Sequence, residues 1–301
     1  MSRDPLSHEP SFVDRHDHSE APARRSPVSE DPRYGPVEES EPRRSSDPRE
    51  GPETDNAVRG YYMRERTYIL RESEFRTLVE IGKFRVVEAS DLAQFGYAGD
   101  ARRMSRDLRR LEQQSLVARE SLYSTRGAKQ VLVLTKRAKK LLEDSRRIPP
   151  AQAIYYGLVN LREAEHDAAL YRLYQRERAR IEQEGGRPLR VALDYELRRN
   201  LHRDLAELDP SQPEARRQVA ERHALSLVED KIQVPDLRLE YETADYVQKQ
   251  VDLELATRNY RPRALAQKVQ AGFSIYAPRE DASKLRRILS GSGSPGRIFS
   301  L

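Results

Sequence analysis

Between residues 73 and 147 the apolar positions fall into short patterns that differ in period. Phe75, Leu78, Val79 and Gly82 follow the three-and-four spacing of an amphipathic helix, for which Ser73 and Arg76 offer only a partial cap. A second, short helix is expected from Glu88 to Phe95, with Ser90 as its cap and Leu92 and Phe95 facing inward; Gly96 and Gly99 close it. Asp100 then caps a third helix, Ala101 to Gln114. Its buried side is Met104, Leu108 and Leu111, and Arg102, Arg103, Arg106, Arg109 and Arg110 cover the remainder. Leu116 to Glu120 and Gln130 to Leu134 read as two strands about a turn at Arg126-Gly127, after which Thr135 caps a last helix, Lys136 to Asp144.

Three helices, a hairpin and a closing helix are the order of a winged helix, in which the third helix enters the major groove of DNA. The basic residues lie where that geometry uses them. Arginines of the third helix can pair with a guanine edge or with phosphate oxygens, and Arg126 and Lys129 near the hairpin turn can reach the flanking backbone. The competing reading is a solvated basic face, or a surface for an acidic protein partner.

Ile148-Pro149-Pro150 interrupts any helix and separates this domain, residues 61–147, from a second over 151–301. A long helix from Ala151 to Glu184 is expected to open the second domain. Val191, Leu193, Tyr195 and Leu197 alternate as in a strand, and Glu214 to Val228 reads as a polar helix or insertion. Two strands follow, Gln233 to Glu242 and Tyr246 to Arg258, joined at Thr243-Ala244. In the first, Leu237, Leu239 and Tyr241 share one face, which leaves Asp236, Arg238 and Glu240 on the other. An antiparallel pairing brings Asp236 to the same end as Asp252 and Glu254. Converging carboxylates raise one another's pKa or are held ionised by a hard cation such as Mg²⁺, which can activate water for phosphodiester cleavage. A solvated outer face is the alternative.

Charge and composition sharpen this division. Residues 1–60 hold nine Lys and Arg against fourteen Asp and Glu, net −5, and nine of the 18 prolines, with few aliphatic residues; a disordered tail is expected there. Residues 61–150 carry +8 and residues 151–301 carry +2, so the positive charge is concentrated on the expected DNA-binding domain. The absence of cysteine removes thiolate zinc sites, disulfides and cysteine nucleophiles. His16 and His18 have a spacing that metals use, but with no third ligand nearby they read as solvated. No apolar run is long enough to span a membrane and none near Met1 resembles a signal peptide, so a soluble cytoplasmic protein is expected.

The run Val234-Pro235-Asp236-Leu237-Arg238-Leu239, then Val251-Asp252-Leu253-Glu254-Leu255 and Leu265 to Phe273, resembles the PD-(D/E)xK nuclease fold as it occurs in the replication-relaxation family. Members join an N-terminal winged helix to such a domain and are associated with plasmids and integrative elements that replicate or transfer by a relaxation mechanism. The resemblance spans residues 65–301 and implies an α+β chain: a tail, a winged helix, then an α/β nuclease-like domain. Asp236 matches the aspartate of the Pro-Asp motif and Glu254 the acid of the next strand, and both would be metal ligands in an active nuclease. Ala256 stands where the motif requires lysine, so the charge that lysine supplies to the transition state is missing at that position. Lys268 on the following helix is the replacement candidate, with Arg258 a weaker one. Glu163 or Glu165 would complete the acidic set, whereas His166 reads as a surface or capping residue.

These readings lead to a DNA-binding accessory protein of a mobile element with weak or lost cleavage, acting on double-stranded DNA beside a relaxase or replication initiator. An active Mg²⁺-dependent endonuclease or nickase using Asp236, Glu254 and Lys268 is the first alternative. A transcriptional regulator whose second domain makes a homodimer is the other.

Overall fold

The computed structural model describes residues 56–63, 66–124, 127–158, 163–208, 213–257, 260–291 and 298–301. Strands β1 (Val58–Met63) and β2 (Arg66–Arg71) pair as an antiparallel hairpin ahead of helix α1 (Glu72–Lys83). Glu74 compensates for the weak cap in the sequence: its carboxylate accepts the Arg71 backbone N–H at 2.8 Å. β3 (Val87–Glu88) leads into α2 (Ala89–Asp91), which continues as a wide π turn, Leu92–Gly96. Gly99, at φ +88°, allows the chain to reverse into α3 (Ala101–Gln113). There Asp100 caps the helix through the Arg103 N–H at 2.9 Å. β4 (Val117–Ser124), β5 (Gly127–Leu134) and α4 (Lys136–Asp144) follow, with Thr135 accepting the Ala138 N–H.

The helices of this half lie close to the positions that periodicity predicts, and two elements are added. β3 pairs with β5, so the expected two-stranded hairpin is part of a three-stranded sheet, β3-β5-β4. The β1–β2 hairpin also starts at Val58, inside the segment read as tail. Residues 1–55, with His16 and His18, lie outside the described residues, as do Arg126 and Arg258.

The expected long helix from Ala151 is corrected. Residues 151–158 form an irregular strap across the first half, and α5 (Ala164–Gln183) begins only after it. The Tyr155 N–H donates to the Gly82 carbonyl and the Gly157 N–H to that of Leu134, each at 2.8 Å. Gln152 meets the backbone of Val191 with both ends of its amide. Ile154 sits so close to Gly82 that a Cβ there would lie 3.0 Å from its side chain. Long-range contacts of this kind satisfy the strap's polar groups without a helix.

The second half continues with β6 (Arg187–Leu193), α6 (Asp194–Ala206), α7 (Pro213–Arg222) and the short pair β7 (Leu227–Val228) and β8 (Lys231–Ile232). Then come β9 (Leu237–Glu242), β10 (Gln248–Leu255), α8 (Pro262–Gln270), β11 (Ser274–Ala277), α9 (Arg279–Gly291) and β12 (Ile298–Ser300). The strand expected through Leu197 ends at Leu193. Asp194 starts a helix instead, its N–H bonded to the Asp236 carbonyl at 3.0 Å, and acidic Asp194 and Glu196 suit the positive end of the helix dipole. The sheet runs β6-β9-β10-β11-β12, with β9 antiparallel to both its neighbours and β10, β11 and β12 mutually parallel.

One face of this sheet, with Leu237, Leu239, Leu253 and Leu255, joins Leu170, Leu173 and Tyr174 of α5 in a core continuous with that of the first half. The other face is covered too: Ala192 packs with Leu197, Leu201 and Val219, and Ala256 with Leu265, Ile275 and Leu285. The charged residues at the Leu237 end of β9 and the Leu255 end of β10 are therefore not a solvated outer face. Arg238 is 4% exposed and Glu254 2%. Among the described residues, no helix is long and apolar enough to cross a membrane.

Candidate functional site

Helix α3 sorts its arginines by helical geometry. Met104, Asp107, Leu108 and Leu111 face inward, while Arg102, Arg106 and Arg109, spaced four and three apart, form one exposed stripe. Asp107, buried and not anticipated from the sequence, fixes the helix to its neighbours. It accepts a hydrogen bond from the Tyr97 hydroxyl at 3.1 Å, and that hydroxyl also meets Thr77 of α1 at 2.5 Å. Arg103 lies at the edge of the stripe and is half-buried.

Arg110 faces the protein. Its Nε is 2.7 Å from Oε1 of Glu74, a residue with no exposed surface, so this arginine neutralises a buried carboxylate of α1. Arg110→Ala is expected to cost about 1–3 kcal/mol of stability, because it removes the cation 2.7 Å from a buried carboxylate oxygen that accepts no hydrogen bond, a pair exposed only on its arginine side. Urea unfolding of that variant and of Glu74→Gln/Arg110→Ala tests this, because the double change should recover part of the loss. Lys129 is engaged as well: it pairs with Glu88 of β3 at 3.0 Å and stands opposite Leu122, back from the hairpin turn. The exposed basic surface of α3 therefore centres on Arg102, Arg106 and Arg109.

The acidic site lies at one end of β9 and β10. Leu253 pairs with Leu237, so the antiparallel register carried one position further sets Glu254 beside Asp236. The Leu255 N–H donates to Asp236 Oδ2 at 2.8 Å and locks the aspartate side chain. Glu254 accepts from the Tyr260 hydroxyl at Oε1 and from Lys268 Nζ at Oε2, the latter at 3.1 Å. Lys268, in the last turn of α8, also donates to the Val234 carbonyl at 2.6 Å and lies 5.2 Å from the centre of the Phe273 ring. Asp236 just before β9, Glu254 on β10 and Lys268 on α8 are thus brought together.

Other expected members are placed elsewhere. Asp252 is held by Arg238 in a two-pronged pair, at 2.7 and 2.8 Å, and takes no part in the site. Glu163 lies near Arg85 at 3.8 Å, and Glu165 is exposed. Ala256, just past β10, is fully buried among apolar side chains and presents no cation.

His166, read from sequence as a surface or capping residue, belongs to the site: its Nε2 is 3.5 Å from Asp236 Oδ1. Burial works to lower its pKa, but the contact and charge of Asp236, with Asp167 and Glu254, outweigh it and raise the value to about 8. Burial, and then the charge of Asp236, push Glu254 above the ordinary carboxylate range against the opposing pull of Lys268 and Tyr260. No local signal marks His166, which lies 70 positions before Asp236. The raised pKa means His166 stabilises the fold fully below its unfolded value near 6.5, and this contribution disappears as pH rises through about 8. Wild type should exceed His166→Gln in unfolding free energy by about 1 kcal/mol at pH 6, allowing for solvent screening of a partly exposed pair. The gap should close by pH 9, and a gap independent of pH would show that the imidazolium is not what stabilises.

A divalent ion does not fit this donor set. Each of the four carboxylate oxygens faces a group of the protein, one of them the Lys268 ammonium and another the His166 ring. Among the described residues, no group of three or more His, Asp or Glu is placed to hold a metal ion. What the arrangement does is join α5, β9, β10 and α8 through a closed set of opposite charges. Compared with family models and with curated proteins, the chain has no match.

Proposed function

We propose that this protein is a DNA-binding accessory protein of a mobile genetic element. In this reading a winged helix docks on duplex DNA through α3, and a nuclease-like domain is carried with it rather than used to cut. The observation that carries the reading is the stripe of Arg102, Arg106 and Arg109, exposed on the third helix of a domain whose following strands form a wing-like hairpin. Three guanidiniums along one helix face match the spacing of phosphates and guanine edges along a groove. The nuclease-like reading of the second domain rests on the resemblance around Pro235-Asp236 and Glu254, and on their adjacency across β9 and β10. Weak or absent cleavage follows from Ala256 and from the internally paired carboxylates.

Duplex binding measured by fluorescence anisotropy in EDTA tests the first part; failure to bind any duplex at low salt would sink it. A second reading, an endonuclease or nickase, is favoured by one observation: Lys268 reaches Glu254, as a relocated motif lysine would. Supercoiled plasmid incubated with the full chain and Mg²⁺ or Mn²⁺ decides between them. We expect no nicking, and nicking that Glu254→Gln abolishes would establish the enzyme.

A further inference from the structure

We propose that the Lys268 ammonium is a built-in replacement for a divalent cation at the Asp236–Glu254 pair, so that the site is complete and closed without metal. The inference rests on the nuclease-like reading of the second domain and says what has become of its acidic site. An ammonium has three protons to place, and Lys268 directs its charge to three acceptors within the chain: Glu254 Oε2, the Val234 carbonyl and the face of Phe273. Only 13% of the Lys268 side chain and 3% of the Glu254 side chain are exposed. A carboxylate, a backbone carbonyl and a buried setting are what a hard cation uses, but here the cation is covalently part of the protein.

Charge balance points the same way. Asp236 and Glu254 together carry at most two negative charges. Lys268 and His166 lie against them; Asp167 also acts on His166 but has its own cation, Arg85, at 3.4 Å, and Glu165 is exposed. Adding a divalent ion would leave an excess of positive charge beside the nearly buried Lys268 and Glu254, where like charges repel more strongly than in water. The position just past β10 where the resemblance puts the motif's lysine holds Ala256, whose buried methyl packs with Leu265 and Ile275. The lysine charge therefore stands on the carboxylate itself and comes from α8 rather than from position 256. Its second bond, to Val234 just before Pro235-Asp236, ties α8 to the segment that enters β9.

The experiment is Mn²⁺ binding to the full chain without DNA, read from the paramagnetic resonance signal of free Mn²⁺ and by calorimetry. Wild type and Lys268→Arg are expected to bind no Mn²⁺ at millimolar concentration. Lys268→Gln and Lys268→Ala are expected to gain a site, tighter than any wild-type binding by at least on the order of ten-fold, about 1.4 kcal/mol. Adding Glu254→Gln should remove that site. Mn²⁺ should also raise the melting temperature of the neutral variants and leave wild type unchanged. Wild-type binding that Glu254→Gln abolishes would overturn the proposal, and so would a folded Lys268→Gln that gains no affinity. A neutral variant that stays unfolded at millimolar Mn²⁺ also counts against it, because an ion that can take the ammonium's place should restore the fold. Duplex binding through α3 is read in EDTA, so failure of the DNA reading and failure of the built-in cation are separate outcomes.

Discussion

Changing Arg102, Arg106 and Arg109 together to alanine is expected to weaken duplex binding by roughly two orders of magnitude near 0.1 M salt and to flatten its salt dependence. Each phosphate contact releases condensed counterions on binding, so its loss lowers the slope of log K against log salt by about 0.9. Three lost contacts change the slope by between two and three. The stripe is exposed and the inward side of α3 is untouched, so unfolding midpoints should move little. Arg110→Ala serves as the contrasting variant: it should lower stability through Glu74 while leaving the salt slope nearly unchanged. If the triple variant binds duplex with unaltered affinity and slope, α3 is not the docking helix. A slope change with sequence preference intact would assign the arginines to phosphates, whereas lost preference would assign at least one to a base edge.

The second large effect concerns Arg238. Its guanidinium is held by both oxygens of Asp252 and by the carbonyls of His223 and Ala224, and its side chain is only 5% exposed. Arg238→Ala strands a largely buried carboxylate and two carbonyls at once. The expected loss is about 3–5 kcal/mol, which for a domain of ordinary stability is a large part of the total. Chemical denaturation of Arg238→Ala, Asp252→Asn and the double variant measures it. The double variant should be less damaged than the sum of the singles, because the pair is removed together. A loss below about 1 kcal/mol for Arg238→Ala would mean that water reaches the pair and that the helices over this face are loosely packed. The outcome also bears on the acidic site, since Arg238 holds β9 and β10 in the register that sets Asp236 beside Glu254.

Elements with a strong local signal were legible from the chain alone. Asp100 and Thr135 mark helix starts because a side-chain oxygen two or three residues before an apolar repeat can satisfy an otherwise orphaned N–H, and α3 and α4 begin where those residues predict. The alternation of Leu237 and Leu239 against Arg238 likewise identified the faces of β9, since a strand reverses its side chains at every step. Local signals failed where distant groups decided the outcome. Tyr195 and Leu197 continue the alternation of β6, yet Asp194 begins α6 because its N–H finds the carbonyl of Asp236 across the sheet. Ala151 to Leu158 has no helix because Gly82, Leu134 and Val191 supply its partners. The five arginines of α3 look equivalent in sequence, and only the buried Glu74 distinguishes Arg110 from the exposed three.

By itself, then, the sequence determined which residues could carry the chemistry: an arginine-rich third helix, the acids Asp236 and Glu254, an alanine at position 256, and Lys268 as the lysine nearest in pattern. How they are used was set by long-range packing. Sheet register set the two acids side by side, α8 delivered Lys268 to Glu254, and α5 brought His166 to Asp236 from 70 positions away. The physical reason is that periodicity and capping act over a few residues, whereas neutralising a buried charge depends on whatever distant group folding places within a few ångströms of it.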